Sequence, residues 1–402
     1  MAARRFVLPN IEDLSKDQER VRLLPKEGCH LIVGGPGTGK SVIALLRARR
    51  HHRADGKRAT GSQDYCFLAY NKLLIAASRE LMGGALNAQT WITWFKATFG
   101  SALQQPCPIV NSQAWVLDWK VIGQAIGNVA ELPPAAPPFL IIDEGQDMPP
   151  DFYHSLANLN FKHFFVVADQ NQQITDQHSK ITEIADALDI DARERIELRY
   201  NHRNAYPVAR LALSFCVGDP ASPCTQLPPE QASAKTPVLV DYGPGCQWDF
   251  DEVVRRLLKA ADRDPALLLG LITPDNDTRN RWLSALRSHP VAPELDHGRP
   301  RIVTYAAGED QGDLSFCEGG IFVINAQSAK GLEFDWVFLA DIHRYRCNPE
   351  NKHQMDDLRR RFYVMVSRAR KQVILLREIH RPCSMEAMLT KEPDILRRWG
   401  RP

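Results

Sequence analysis

The chain reads as an α/β protein in which helices cover both faces of parallel sheets, divided into two lobes. Three observations predict this. Seven short runs, CHLIVGG (29–35), YCFLAY (65–70), PFLIIDE (138–144), HFFVVAD (163–169), ALLLGLIT (266–273), GGIFVINA (319–326) and WVFLADI (336–342), are apolar on both faces and end in turn residues or polar segments. Strands buried inside a parallel sheet look like this. Helical patterns lie between them, at 40–53, 251–261 and 358–371 among others, and strand–helix alternation marks an α/β fold. The runs form two groups, one ending near 175 and one resuming near 236, with helix-rich sequence at 183–215 between them. The expected units are an N-terminal lobe, 1–180, and a C-terminal lobe, 181–402.

Composition narrows the class. A length of 402 residues allows two or three domains. Lys and Arg total 50 against 48 Asp and Glu, a net charge of +2, which excludes a histone-like polycation or an acidic tail. No apolar run approaches the roughly 20 residues that cross a bilayer. The N-terminus, MAARRFVLPNIEDL, has no apolar segment behind its arginines, so a cytoplasmic protein without a membrane partner is expected. The 9 cysteines include no C-x-x-C pair and read as reduced thiols, neither a disulfide frame nor a zinc site. Pro-rich stretches at 131–139 and 217–237 read as surface connections.

The chemistry begins after the first apolar run. Gly34, Gly35, Pro36, Gly37, Thr38, Gly39, Lys40 and Ser41 satisfy G-x-x-x-x-G-K-[ST] between a strand and a helix. In that setting glycines let backbone amides turn around phosphates, Lys40 reaches the β and γ phosphates of ATP, and Ser41 holds Mg²⁺. The LIID segment then places Asp143 and Glu144 at the tip of a buried strand, 103 residues after Lys40 in the case of Asp143. Ligands bind at the carboxyl ends of such strands, so Asp143 suits the metal and Glu144 the attacking water.

With Asp143-Glu144-Gly145-Gln146-Asp147 in place, the chain resembles a superfamily 1 helicase of the UvrD/Rep type. Leu14-Ser15-Lys16-Asp17-Gln18 is similar to that family's adenine-reading segment, with Gln18 as the base contact. Ala168-Asp169-Gln170-Asn171-Gln172 resembles the third motif, in which Gln172 senses the γ-phosphate, and Asn201-His202-Arg203 the fourth, with Arg203 on the γ-phosphate and His202 where an adenine-stacking tyrosine is typical. Gln327-Ser328-Ala329-Lys330-Gly331-Leu332-Glu333-Phe334 resembles the fifth motif, with Gly331 and Glu333 on the nucleotide, and Tyr363 to Ala369 the sixth, with Arg368 as a second arginine finger. The resemblance implies two RecA-like lobes, ATP and Mg²⁺ between them, and single-stranded DNA or RNA across their top. Hydrolysis would be coupled to lobe closure.

The chain also departs from the pattern. About 45 residues separate Trp94 from the strand at 139, and 120 separate Arg203 from Val323. The family's accessory insertions are therefore expected as a stub and a remnant, and autonomous unwinding as weak. Ile174 to Ser179 stands where a base-stacking tryptophan is usual. Tyr70, Asn71, Thr90, Trp91, Trp94 and Gln327 become the nucleic-acid candidates, the aromatics among them being either strand contacts or core. The basic clusters at 47–53 and 359–361 read as solvated helix faces. No carboxylate–lysine cluster follows Arg368, so any cutting falls to a nuclease partner. Three functions stay open: a single-strand translocase or helicase, a motor or sensor subunit of a repair or anti-phage assembly, and a nucleotide-dependent protein-binding switch.

Overall fold

All seven apolar runs form strands. The computed structural model describes residues 7–55, 65–111, 116–128, 137–173, 178–218, 224–291, 294–305 and 314–400. The N-terminal sheet contains β1 (Cys29–Gly34), β2 (Tyr65–Ala69), β3 (Ala88–Thr90), β6 (Phe139–Ile142), β7 (Phe164–Ala168) and β8 (Ile196–Leu198), in the parallel order β3-β2-β6-β7-β1-β8. The antiparallel pair β4 (Ile109–Asn111) and β5 (Val116–Leu117) stands apart. The second sheet contains β9 (Val238–Tyr242), β10 (Leu268–Thr273), β11 (Ile302–Thr304), β12 (Gly320–Asn325), β13 (Phe334–Leu339), β14 (Ala369–Glu378) and β15 (Arg397–Trp399), in the parallel order β11-β12-β10-β13-β14-β9-β15. These are two RecA-like lobes.

Both sheets are covered on both faces, which is why their strands are apolar throughout. In β1, Leu31 and Val33 face one core with Trp94, Phe95, Phe152 and Ile184, while Ile32 faces the other with Ile43, Leu46 and Leu74. In β10, Leu268 and Ile272 share a core with Val208, Phe362 and Met365, while Leu269 and Leu271 pack with Val254, Leu258 and Trp282. The helices that supply these contacts are α2 (Lys40–Asp55), α3 (Lys72–Leu81), α4 (Trp91–Leu103), α5 (Trp119–Gly127), α6 (Pro150–Asn158), α7 (Ile181–Ala187), α8 (Tyr206–Ser214), α9 (Phe250–Arg263), α10 (Asn276–Ser288) and α11 (Lys352–Ser367), with α1 (Lys16–Arg22) ahead of β1. Helix α3 joins the lobes: its Leu74 and Ile75 sit in the first lobe's core, its Leu73 and Ala77 in the second's.

Four expectations change. The N-terminal sheet takes in β8, so it extends past residue 180, because the short IEL segment pairs with Ile32–Gly34 at the sheet edge. The helix expected over 358–371 ends at Ser367, and a ten-residue strand starts at Ala369; pairing of Gln372–Glu378 between β13 and β9, with most of that run buried on both faces, overrides the helical period there. Arg47 is fully buried, not solvated. Its guanidinium donates to the carbonyls of Leu24 and Pro25 just beyond α1 and lies over the Phe139 and Phe165 rings. Cys216 and Cys224 pair as a disulfide, where reduced thiols were expected, because Cys224 lies beside the end of α8. Residues 131–136 of the first Pro-rich stretch and 219–223 of the second lie outside the described residues.

Candidate functional site

Strand β1 delivers the chain to a glycine-rich loop, and α2 leaves it at Lys40. Gly37 and Gly39 have φ of 77° and 86°, the left-handed region that costs a side chain strain. A Cβ would also strike the Asn201 carboxamide at Gly37 and the Gln18 amide at Gly39. Thr38 Oγ1 donates to the Gly35 carbonyl at 2.9 Å. Lys40 Nζ donates to the carbonyls of Gly34 (2.6 Å) and Gly35 (2.9 Å) and stands 3.9 Å from Asp169. Burial lowers the Lys40 pKa although Asp169 and Glu144 oppose it.

The end of β6 supplies two buried carboxylates. Ser41 Oγ donates to Asp143 Oδ1 at 3.1 Å, and the Glu144 amide to the same oxygen at 3.0 Å. Asp143 Oδ2 is buried without a hydrogen-bond partner. Burial, and then Glu144, push the Asp143 carboxyl up to about 7. Glu144 has φ 54° and ψ 46°, a left-handed conformation that a non-glycine residue keeps only when its surroundings impose it. The Gln146 amide holds Glu144 Oε2 at 2.7 Å and accepts the Asp169 amide at 2.9 Å. Burial would raise the Glu144 carboxyl, but Lys330, Lys40 and Arg368 hold it below the usual value.

The second lobe brings cations to this cluster. Arg368 lies between α11 and β14; its Nε donates to Val364 O at 3.0 Å and its Nη2 to Gln172 Oε1. Gln172 Nε2 in turn donates to Asp169 Oδ2 at 2.6 Å. Burial and the nearby Arg203 lower Arg368 to about 10. Arg203 donates through Nε to Glu333 Oε1 at 2.8 Å. Burial would raise Glu333, but Arg203 and Arg370 keep its carboxyl low. Lys330 Nζ reaches across the lobes to Asp147 Oδ1 and to Gln172 O, each at 2.6 Å.

Most of the anticipated residues therefore meet. Pro36, Gly37, Gly39, Lys40, Ser41, Glu144, Gln172, Arg203 and Arg368 line one pocket. Beside it, a cavity of about 870 Å³ is lined from both lobes, with Gln18, His202, Gly331 and Glu333 on its wall. Gln18 differs from expectation in one respect: its amide already donates to Thr38 O at 2.9 Å and accepts from Ser15 N at 3.0 Å, tying α1 to the glycine loop. Asp169, Lys330, Asp147 and the Asn201–Asn204 pair belong to the site but received no role from the sequence. Asp169 and Lys330 lie within the matched segments, and their charge inside such segments was the available signal.

The nucleic-acid candidates separate. Tyr70 is exposed at the end of β2, and Gln327 is exposed beyond β12. Asn71 caps α3 and its Nδ2 lies 3.4 Å from Lys330 O, and Thr90 caps α4. Trp91 and Trp94 are not available to a strand. They are 5% and 7% exposed, Trp91 against Trp119 and Phe152 and Trp94 against Phe161. They form the apolar face of α4, which packs onto the first lobe's core. Ile174 to Gln177 lies outside the described residues.

Residues 17–177 match the model of an AAA domain, and residues 320–376 match the UvrD-like helicase C-terminal domain. The two matches fall one in each lobe, and together they make the chain similar to UvrD-like helicases. No curated protein matches the chain. Among solved structures, the C-terminal domain of a possible DNA helicase from Lactobacillus plantarum WCFS1 aligns at 16% identity over 49% of this chain and 97% of that one, with a TM-score of 0.33. The described residues contain no helix long and apolar enough to cross a membrane.

Proposed function

We propose that this UvrD-like protein is an ATP-hydrolysing motor that moves along single-stranded DNA. The observation that carries the reading is the convergence of Lys40, Glu144, Gln172, Arg203 and Arg368 on one pocket, with both arginines coming from beyond the first sheet. Charge-stabilising groups split between two lobes act together only when the lobes are closed, which links hydrolysis to movement.

In this reading Lys40 presents its charge to the β and γ phosphates from the mouth of the glycine loop. Glu144, held ionised by three neighbouring cations, accepts the proton of the attacking water. Gln172 touches Arg368 directly and so reports on the γ-phosphate to the second lobe. Arg203 and Arg368 stabilise charge on the transferred phosphoryl group. The donor set fits Mg²⁺: a serine hydroxyl and a carboxylate with one unpartnered oxygen are hard ligands for an ion that takes its remaining bonds from water and phosphate. When bound there, Mg²⁺ neutralises charge on the phosphates. Tyr70, Asn71, Thr90 and Gln327, at the carboxyl ends of strands or just beyond them, are the proposed strand contacts.

Displacement of streptavidin from a biotin-ended single strand tests the motor directly. The wild type should displace it with ATP, and Glu144→Gln should not. Hydrolysis without displacement would leave the nucleotide-dependent switch as the better reading, and displacement that requires an added nuclease subunit would favour the assembly.

A further inference from the structure

Two guanidiniums, Arg203 and Arg368, face the same pocket, and the Arg203 charge makes the buried Arg368 harder to keep charged. Something must hold them side by side. Glu333 answers for the Arg203 side chain. The Arg368 side chain is tied to Gln172 and to its own helix, but its backbone sits where α11 gives way to β14, and a helix end leaves carbonyls without intrahelical partners.

One side chain bonds a carbonyl on each side of this junction. Asn204, buried to 5% exposure, donates through Nδ2 to Ser367 O at 3.0 Å and to Ala369 O, the carbonyls on either side of Arg368. Its own Oδ1 accepts from Asn201 Nδ2 at 2.8 Å. Asn201 Oδ1 accepts the amides of Arg203 and Asn204, each at 3.0 Å, and packs against Gly37 of the glycine loop. The Ala205 amide continues the seam by donating to Arg370 O at 2.7 Å. Two carboxamides thus join the backbone of Arg203, the backbone around Arg368 and the phosphate loop, across 163 residues of sequence in the case of Asn204 and Ser367.

We infer that Asn204 is a positioning residue for hydrolysis: its carboxamide clamps the peptide groups flanking Arg368 and sets that arginine beside Arg203. The inference rests on the proposed role of Arg368. It follows from the chemistry of the amide, whose NH₂ supplies two donors in one plane and whose oxygen remains free for Asn201. A serine at this position can donate to only one carbonyl, an alanine to neither.

The test compares kcat and the affinity for ADP in wild type, Asn204→Ala, Asn204→Ser and Arg368→Ala, and in the Asn204→Ala/Arg368→Ala double variant. Misplacing a charge-stabilising group costs on the order of 10- to 100-fold in rate. Asn204→Ala should therefore lose about that much in kcat while its ADP affinity stays within about threefold. Asn204→Ser should recover part of the loss, and the alanine should cost nothing further once Arg368 is absent. The serine variant, which keeps one bond of the clamp, carries the comparison if the alanine variant melts below assay temperature. Wild-type kcat in Asn204→Ala and Asn204→Ser, alongside a crippled Arg368→Ala, overturns the clamp alone. An equal loss from Asn204→Ala in both backgrounds also overturns it, by assigning the residue a merely structural role. Wild-type kcat in Arg368→Ala overturns the underlying reading of the arginine instead.

Discussion

Lys40 and Glu144 are both buried beside the same loop, yet removing either has a different consequence. In the proposed mechanism Lys40 presents its charge to phosphate, so Lys40→Ala should lose nucleotide affinity and hydrolysis together. Glu144→Gln keeps shape and hydrogen bonding while removing the proton acceptor, so it should bind ATP and fail to turn it over. A nucleotide titration checks this pair, and equal affinities would contradict the division of labour. Trp94 makes the opposite case. Packed edge-on against Phe161 and nearly covered, it should cost about 3–5 kcal/mol of stability as alanine, while strand affinity of the folded fraction stays unchanged. Tyr70→Ala should do the reverse, weakening strand binding by about 1–3 kcal/mol with little change in denaturant midpoint. The glycine loop and both acids were legible because their spacing is dictated by phosphate geometry. The burial of Trp94 was not, because an aromatic beside a polar motif reads the same whether it faces a core or a base.

Helix α3 shows how an element couples the lobes. Its two apolar faces enter two different cores, and its last turn carries Glu80, whose carboxylate accepts Ser315 Oγ at 3.0 Å and the amides of Phe316 at 2.8 Å and Cys317 at 2.9 Å. Partial burial would raise this carboxyl, but the donors from Cys317, Phe316 and Ser315 hold it below its ordinary value. A depressed folded-state pKa means the stabilisation is present above the unfolded value, about 4.3 for glutamate, and is lost as pH falls through the folded one. The melting temperature of wild type should therefore exceed that of Glu80→Gln at pH 7, and the gap should close on acidification below pH ~4. A constant gap would show that the charge contributes nothing. None of this contact was visible in sequence, since Glu80 and Ser315 are 235 residues apart and neither lies in a recognisable motif. The strands tell the same story. The long apolar ones at the sheet centres announced themselves, while three-residue edge strands such as β8 and β15 carry too little pattern to separate from loop.

At the scale of the molecule, two sheets and one cleft account for most of the chain. Helices α4 and α5, which follow β3, pack onto the first lobe's core through Trp94, Phe95, Phe99, Ile122 and Ile126. For the proposed motor, a net charge of only +2 leaves any duplex binding to local basic patches rather than to an overall positive field. Unwinding of a blunt duplex should be slow or absent under conditions where single-strand translocation is robust, as a fluorescence strand-separation assay would show. The overall architecture was legible because strand–helix alternation is repeated many times along the chain. The way the lobes meet was not, because it depends on pairs such as Lys330 with Asp147, 183 residues apart, each of which is an ordinary charged residue in isolation.

The central claim is that nucleic acid lying across both lobes brings the second-lobe arginines into register with the nucleotide held by the first. Steady-state ATP hydrolysis, measured with no nucleic acid and with saturating single-stranded DNA, single-stranded RNA or duplex, tests it most directly. The rate should rise at least about tenfold with single-stranded DNA, the size of effect expected when a charge-stabilising group is brought into place, and less with duplex. A basal rate unchanged by every nucleic acid would contradict the account.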